Sequence, residues 1–144
     1  MAAVNGIYYG WSDITLKMPG LDLGAQSIDY DDELEKELVY GAGSLPHGYG
    51  RGNYKGNCKI TFLKEEFDEF AAWCKSQGVG IYSVEVPKVI VSYAKDGERI
   101  RNDVINRLTP SKVTNKGAQG DKSLTVEVEF LVYGQIVRDG LKAL

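Results

Sequence analysis

The chain has 144 residues, 17 glycines, nine tyrosines and a net charge of −3, so it can bury a core without disulfides or metals, and its composition leans towards strands and turns. The acid excess speaks against a dedicated nucleic-acid binder, whose domain is ordinarily basic. The start Met-Ala-Ala-Val-Asn-Gly has no basic cluster, and no apolar run approaches the roughly 20 residues of a membrane span, so we expect a cytosol-like compartment and no membrane partner.

In chain order, Ile7 to Met18 is the first expected strand, with Ile14, Leu16 and Met18 alternating with polar residues and Pro19-Gly20 ending it. Two patterns compete over Ser27 to Tyr40. Asp31-Asp32 followed by Leu34 and Leu38 looks locally like a capped helix. Strict alternation covers more residues, with Ser27, Asp29, Asp31, Glu33, Glu35 and Glu37 on the odd face and Ile28, Tyr30, Leu34, Leu38 and Tyr40 on the even one, broken by Asp32 and Lys36. The spacing favours one long strand, or two meeting at Asp32. The glycine-rich stretch from Gly41 to Gly52 shows no period that would place it in a sheet, so a long flexible loop is expected at about 41–53. It is not a phosphate-binding loop, because Arg51-Gly52-Asn53 leads into a strand rather than a Lys-Ser/Thr helix start.

From Tyr54 to Phe62 the period is two, with Tyr54, Cys58, Ile60 and Phe62 apolar and Lys55, Asn57, Lys59 and Thr61 between them. After Leu63 it becomes helical: Phe67, Phe70, Ala71 and Cys74 recur on one side, opposite Lys64, Glu65, Glu66, Asp68, Glu69 and Lys75. One amphipathic helix over about 64–77 follows, closed by Gly78 as a left-handed cap. Val79 to Tyr93 reads as a central strand with a bulge or bend at Pro87, and Asp96-Gly97 as a turn. Ile100 to Val113 holds a further strand or two, and Thr114 to Asp121 an exposed loop. Leu124, Val126, Val128, Phe130 and Val132 form the inward row of a last strand, with Ser123, Thr125, Glu127, Glu129 and Tyr133 facing out. About seven strands and one helix, without a strand-helix alternation, imply a mainly β fold: two packed antiparallel sheets, as a sandwich or barrel, flanked by the helix.

Little here signals chemistry. His47 is the lone histidine, and Cys58 and Cys74 both fall on apolar faces as buried thiols, so no metal, cofactor or catalytic constellation is expected and the chain is read as not an enzyme. The acidic strand Ser27 to Tyr40, the stretch GAGSLPHGYGRGNYKG, the strand-helix junction KITFLKEEFDEFAAW, the valine-rich strand after it and the closing SLTVEVEFLVYGQI resemble, in that order, the tail tube proteins of long-tailed phages and contractile injection machines, and the tube component of type VI secretion. The resemblance runs from about Ser27 to Ile136. It implies a single tail-tube-like domain over residues 1–144, hexameric rings whose inner sheets join around a channel, and stacking of rings into a conduit for DNA or protein. Sheath, tape measure, baseplate and tail terminator proteins are the implied partners, and a virion tail assembled in the host cytoplasm, or an injection particle, the implied location. A monomeric β-sandwich or barrel that binds a small ligand or a protein is the other function class open to this sequence.

On this reading Ser44, Leu45, Pro46, His47, Tyr49 and Arg51 form the ring-stacking loop. Asp29, Asp31, Glu33, Glu35 and Glu37 line the lumen, roughly thirty carboxylates in a six-fold ring, repelling phosphates over a Debye length of about 8 to 10 Å. If these acids instead solvate an outer face, the polar side of Lys55 to Thr61 or of Ser123 to Glu129 is the next candidate lining.

Overall fold

The structure, a computed structural model, describes residues 10–11, 14–18, 21–95, 97 and 99–144; the start of the expected first strand, its Pro19-Gly20 stop and Asp96 of the expected turn lie outside them. The elements are β1 (Ile14–Met18), β2 (Leu21–Leu23), β3 (Ser27–Tyr40), β4 (Pro46–Leu63), α1 (Lys64–Ser76), a short 3-10 turn (Ile81–Ser83), β5 (Val86–Tyr93), β6 (Arg101–Lys116), β7 (Thr125–Val132) and β8 (Ile136–Arg138). The strand reading of Ser27 to Tyr40 holds over the helical one, because β3 pairs antiparallel with β4 from Ser27↔Thr61 to Tyr40↔Pro46. A helix there would have presented only Leu34 and Leu38 as an apolar face, whereas the strand turns Ile28 and Tyr30 inwards against the core.

All pairings are antiparallel and form one hydrogen-bonded path, β2-β1-β5-β6-β7-β4-β3, with β8 on β6. The fold is mainly β with one flanking helix, as expected. Its two layers are halves of a single sheet rather than separate sheets. β3 and β5 lie four strand steps apart, about 19 Å in a flat sheet, yet the Tyr30 and Tyr93 hydroxyls are 2.5 Å apart and the Tyr30 hydroxyl donates to Asp103 on β6. The sheet therefore curls until its halves face each other. Among the described residues β2 and β3 do not pair, so it stops short of a closed barrel.

β6 is where the path turns. Its first half pairs with β5 and its second with β7. Pro87 keeps the β5 register; the irregularity falls opposite it, at Arg107, whose φ is 58°. On the other edge of β6, Leu108 faces Val132 and Ile105 faces Ile136, so β7 and β8 are one strand path with an extra residue at Tyr133–Gln135. A bulge needs close backbone approach, and a Cβ on Gly134 would sit 2.6 Å from the Asn106 carbonyl oxygen. Gly134→Ala is expected to lower stability by about 1 to 3 kcal/mol in urea unfolding; a loss below about 0.5 kcal/mol would mean that the bulge yields freely.

The core runs between the halves: Ile60, Phe62, Val89, Val91, Ile105, Leu108, Val126, Val128 and Ile136 are all but inaccessible to water. α1 lies over the end of this core. Phe70 stacks on Phe62 at 5.8 Å and meets Phe130 edge-on at 6.0 Å. Phe70 and Cys74 are buried, Phe67 is half-buried, and Glu65, Asp68 and Glu69 face water. The Leu63 N–H donates to Glu66 Oε1 at 3.0 Å at the helix start, and Gly78, at φ 75°, ends the helix as expected, its N–H donating to the Lys75 carbonyl. Both cysteines are free and buried, and burial pushes the Cys58 thiol up to about 12.

β8 is clasped to β3. Arg138 Nη2 donates to Asp32 Oδ1 at 2.8 Å, the Tyr54 hydroxyl donates to Asp32 Oδ2 at 2.7 Å, and that hydroxyl accepts from the Ile136 N–H at 3.1 Å. Arg138 in the first place, with Tyr54, holds the Asp32 carboxyl below its usual range against the opposing effect of burial. A depressed folded pKa gives stability that is present above the unfolded value of about 4 and is lost as pH falls through the folded one. Asp32→Asn should therefore be less stable than the native chain at pH 7, with the two stabilities converging as pH falls through the lowered folded pKa of Asp32. A gap that stays constant across that range would remove the ion pair as its source.

Candidate assembly interfaces

β3, β4, β7 and the second half of β6 make a four-stranded wall whose two faces differ because residues alternate along each strand. One face carries Cys58, Ile60, Phe62, Val126, Val128 and Phe130 into the core and against α1. The other face is bare and polar. Register sets its rows: Asp29 lies opposite Lys59, Lys59 opposite Glu129, and Glu129 opposite Lys112; Glu33 lies opposite Lys55, and Thr61 opposite Glu127. Asp29, Asp31, Glu33, Glu35 and Glu37 are all exposed, and the first three stand on this face beside lysines. The polar sides of Lys55 to Thr61 and of Ser123 to Glu129 are the alternatives to the acidic row in the sequence; the first, and the part of the second that lies in β7, from Thr125 to Glu129, belong to the same surface, while Ser123 precedes the strand.

Glu127 is the centre of the pairing on it, with Lys116 Nζ at 2.6 Å and Lys59 Nζ at 3.4 Å; Lys116 first, then Lys59, lower its carboxyl below the usual range. Sequence reading missed the β6 row, because Thr114 to Lys116 was expected in a loop while β6 runs to Lys116. The signal was the alternation Lys112, Thr114, Lys116, whose last two members fall in the stretch expected as a loop.

The chain from Gly41 to Gly52, expected as a loop outside the sheet, is a turn over residues 41–45 followed by the first half of β4. Lys36 to Val39 of β3 pair with Arg51 to Gly48, so the stretch is a two-stranded arm. Gly48, Gly50 and Gly52 hid it. They carry no side chain to show a period, yet the ladder needs only their backbone groups. A bulge at Gly52-Asn53 separates the arm from the body, with register Leu34↔Tyr54 and then Lys36↔Arg51. Glu35 is committed to that bulge, its Oε2 accepting from the Asn53 N–H at 3.3 Å.

Every residue from Glu35 to Asn53 is exposed. Ser44, Leu45, Pro46, His47, Tyr49 and Arg51 are thus brought together in the arm: Ser44 and Leu45 in the turn, the others on β4. His47 packs over Gly41, and the Lys36 ammonium lies 5.3 Å from the Tyr49 ring centre, where Leu38 faces Tyr49 across the ladder. Leu38, Tyr40, Leu45 and Tyr49 are each more than half exposed. A lone two-stranded ribbon is marginal in water, and clustered bare apolar side chains on one mark a contact surface.

The wall also ends in two unpaired edges. β3 pairs with β4 only, and from Thr109 onwards β6 pairs with β7 only, among the described residues. Pro110, which has no N–H to give to a second neighbour, blunts that edge at its start and leaves Ser111 to Lys116 open. Exposed edges of this length invite strand pairing with another chain.

No protein-family model matches the sequence, and no curated protein is similar to it. Solved structures do match. A chain of the PVC extracellular contractile injection system, in its sheath/tube terminator in the extended state, has a TM-score of 0.71 over 94% of this chain and 99% of its own, at 12% identity. A chain of the PVC sheath-tube complex in the extended state gives 0.69 over 93% of each, also at 12%. The fold is that of tail tube proteins. Hcp1 from Flavobacterium johnsoniae shares this tail-tube fold, with a TM-score of 0.57 over 90% of this chain and 96% of its own, at 14% identity. At such identities the likeness is one of fold, and residue roles rest on the geometry of this chain.

Proposed function

We propose that the chain is the structural, non-catalytic subunit of a phage tail tube or tail-like injection tube, whose copies close into hexameric rings that stack into a hollow conduit for DNA or protein. The observation that carries this is the wall with one bare polar face and two unpaired edges. Four strands is an even number, so β3 of one copy laid beside β6 of the next continues the antiparallel alternation around a ring. Six copies supply roughly 24 strands, about 40 Å across before any tilt at a strand spacing of about 4.8 Å, and barrels of about 16 to 18 strands already leave an aqueous channel.

The bare face then lines the lumen, with Asp29, Asp31 and Glu33 among its acids, while Glu35 and Glu37 belong to the arm. Interleaved lysines temper their repulsion of phosphates, and the excess of carboxylates keeps it. α1, packed on the opposite face, lies outside, where its acidic side meets solvent or a surrounding sheath. The arm reaches to the next ring, and terminator, tape measure and baseplate proteins meet the tube at its ends, in a virion tail or an injection particle.

Size-exclusion chromatography with negative-stain microscopy over a concentration series tests the assignment. Rings or tubes of even width are the expected result. A chain that stays monomeric at every concentration would fit the other class, a ligand-binding β-sandwich, and rule this one out.

A further inference from the structure

The two unpaired edges of the wall carry rows of opposite charge. On the bare face the acids of β3 (Asp29, Asp31, Glu33) stand at one edge, and Lys112 and Lys116 of β6 stand at the other. Between them the sign alternates strand by strand, with Lys55 and Lys59 on β4 and Glu127 and Glu129 on β7. Within the wall Lys59, Glu127 and Lys116 are paired, whereas among the described residues Asp29, Asp31, Glu33 and Lys112 make no ion pair.

We propose that these rows form a charge-complementary seam between two copies of the chain, β3 of one against the second half of β6 of the next, and that the seam selects a cyclic ring over a two-fold dimer. The partner is a second copy, and this rests on the tube reading above. A two-fold axis would pair β3 with β3 or β6 with β6 and set like charges opposite, which is destabilising. The head-to-tail arrangement sets acids opposite lysines at every seam and leaves no edge over when the ring closes. The five acids on the odd positions of β3 thus divide by place. Asp29, Asp31 and Glu33 join neighbouring copies, Glu35 holds the arm's bulge, and Glu37 lies on the arm.

Two charge reversals test the seam, Asp31→Lys with Glu33→Lys on β3 and Lys112→Glu with Lys116→Glu on β6. All four side chains are exposed, and circular dichroism and thermal melting of each monomer check folding. Each variant alone is expected to raise the concentration needed for ring formation by at least about tenfold. A one-to-one mixture of the two should restore rings, because an even-numbered ring can alternate them with every seam complementary. Native rings should also dissociate at lower dilution as salt is raised, a readout that needs no variant.

If native rings form and each variant also forms them at the native concentration, or native rings are indifferent to salt, the seam is wrong while the tube reading stands. Failure of two well-folded variants to restore rings on mixing overturns it equally. A native chain that never forms rings fails the tube reading itself.

Discussion

Truncating Phe70 to alanine is expected to cost about 3 to 5 kcal/mol, a large part of the stability of a domain this size. Phe70 is 1% exposed, stacks on Phe62, meets Phe130 edge-on and lies 6.2 Å from the Trp73 ring centre. Its removal takes away both the apolar surface it buries and the aromatic contacts on three sides. The cavity would open between α1 and the sheet, where Ile60 and Phe62 on β4 cannot move inwards without breaking the ladder to β7. Urea unfolding of the monomer measures the loss through the midpoint at constant slope. A loss well under 1 kcal/mol would take α1 out of the core and leave it a surface attachment.

Removing the outer arm should abolish tube growth while leaving the subunit and its ring intact. Because Glu37 faces Gly50, replacing Leu38 to Tyr49 by an Asn-Gly turn keeps the ladder below the cut and closes it with a two-residue hairpin. Everything removed is exposed, so thermal stability of the monomer should change little, and the apolar cluster of Leu38, Tyr40, Leu45 and Tyr49 goes with it. Electron microscopy should find single rings at concentrations where the native chain makes tubes. Tubes of native length from the shortened chain would show that rings stack through some other surface. Tyr49→Ser with Leu38→Ser is the milder version, and it should shorten tubes without altering the ring.

The strand of Tyr54 to Phe62, the helix from Lys64 to Ser76 and the inward row of Val126, Val128, Phe130 and Val132 were legible because each is a local period, two where a strand buries one face and nearly four where a helix does; Leu124, expected at the head of that row, precedes β7 and is exposed. Phe70 could be named as a core residue, and Gly78 as the helix stop, for the same reason. Burial of an amphipathic element follows from the side chains that carry its pattern, whatever it packs against. The sequence by itself thus determined the mainly β class, the single flanking helix and the acidic row of β3.

What it left open has one physical cause. A β-ladder is made by backbone groups, and the partner of a strand is chosen by register across long stretches of chain. Gly48, Gly50 and Gly52 erased the period of the arm while their backbone groups extended the sheet. Lys112 stands in line with Asp29 only through β4 and β7, which place residues far apart in the chain on one row. Asp32 reads as a break in an apolar face until Arg138 and Tyr54 are brought to it. Only the tertiary structure decided that three candidate linings share one face, that the glycine-rich stretch is an arm, and that the wall ends in edges of opposite charge, because each depends on which strands lie side by side.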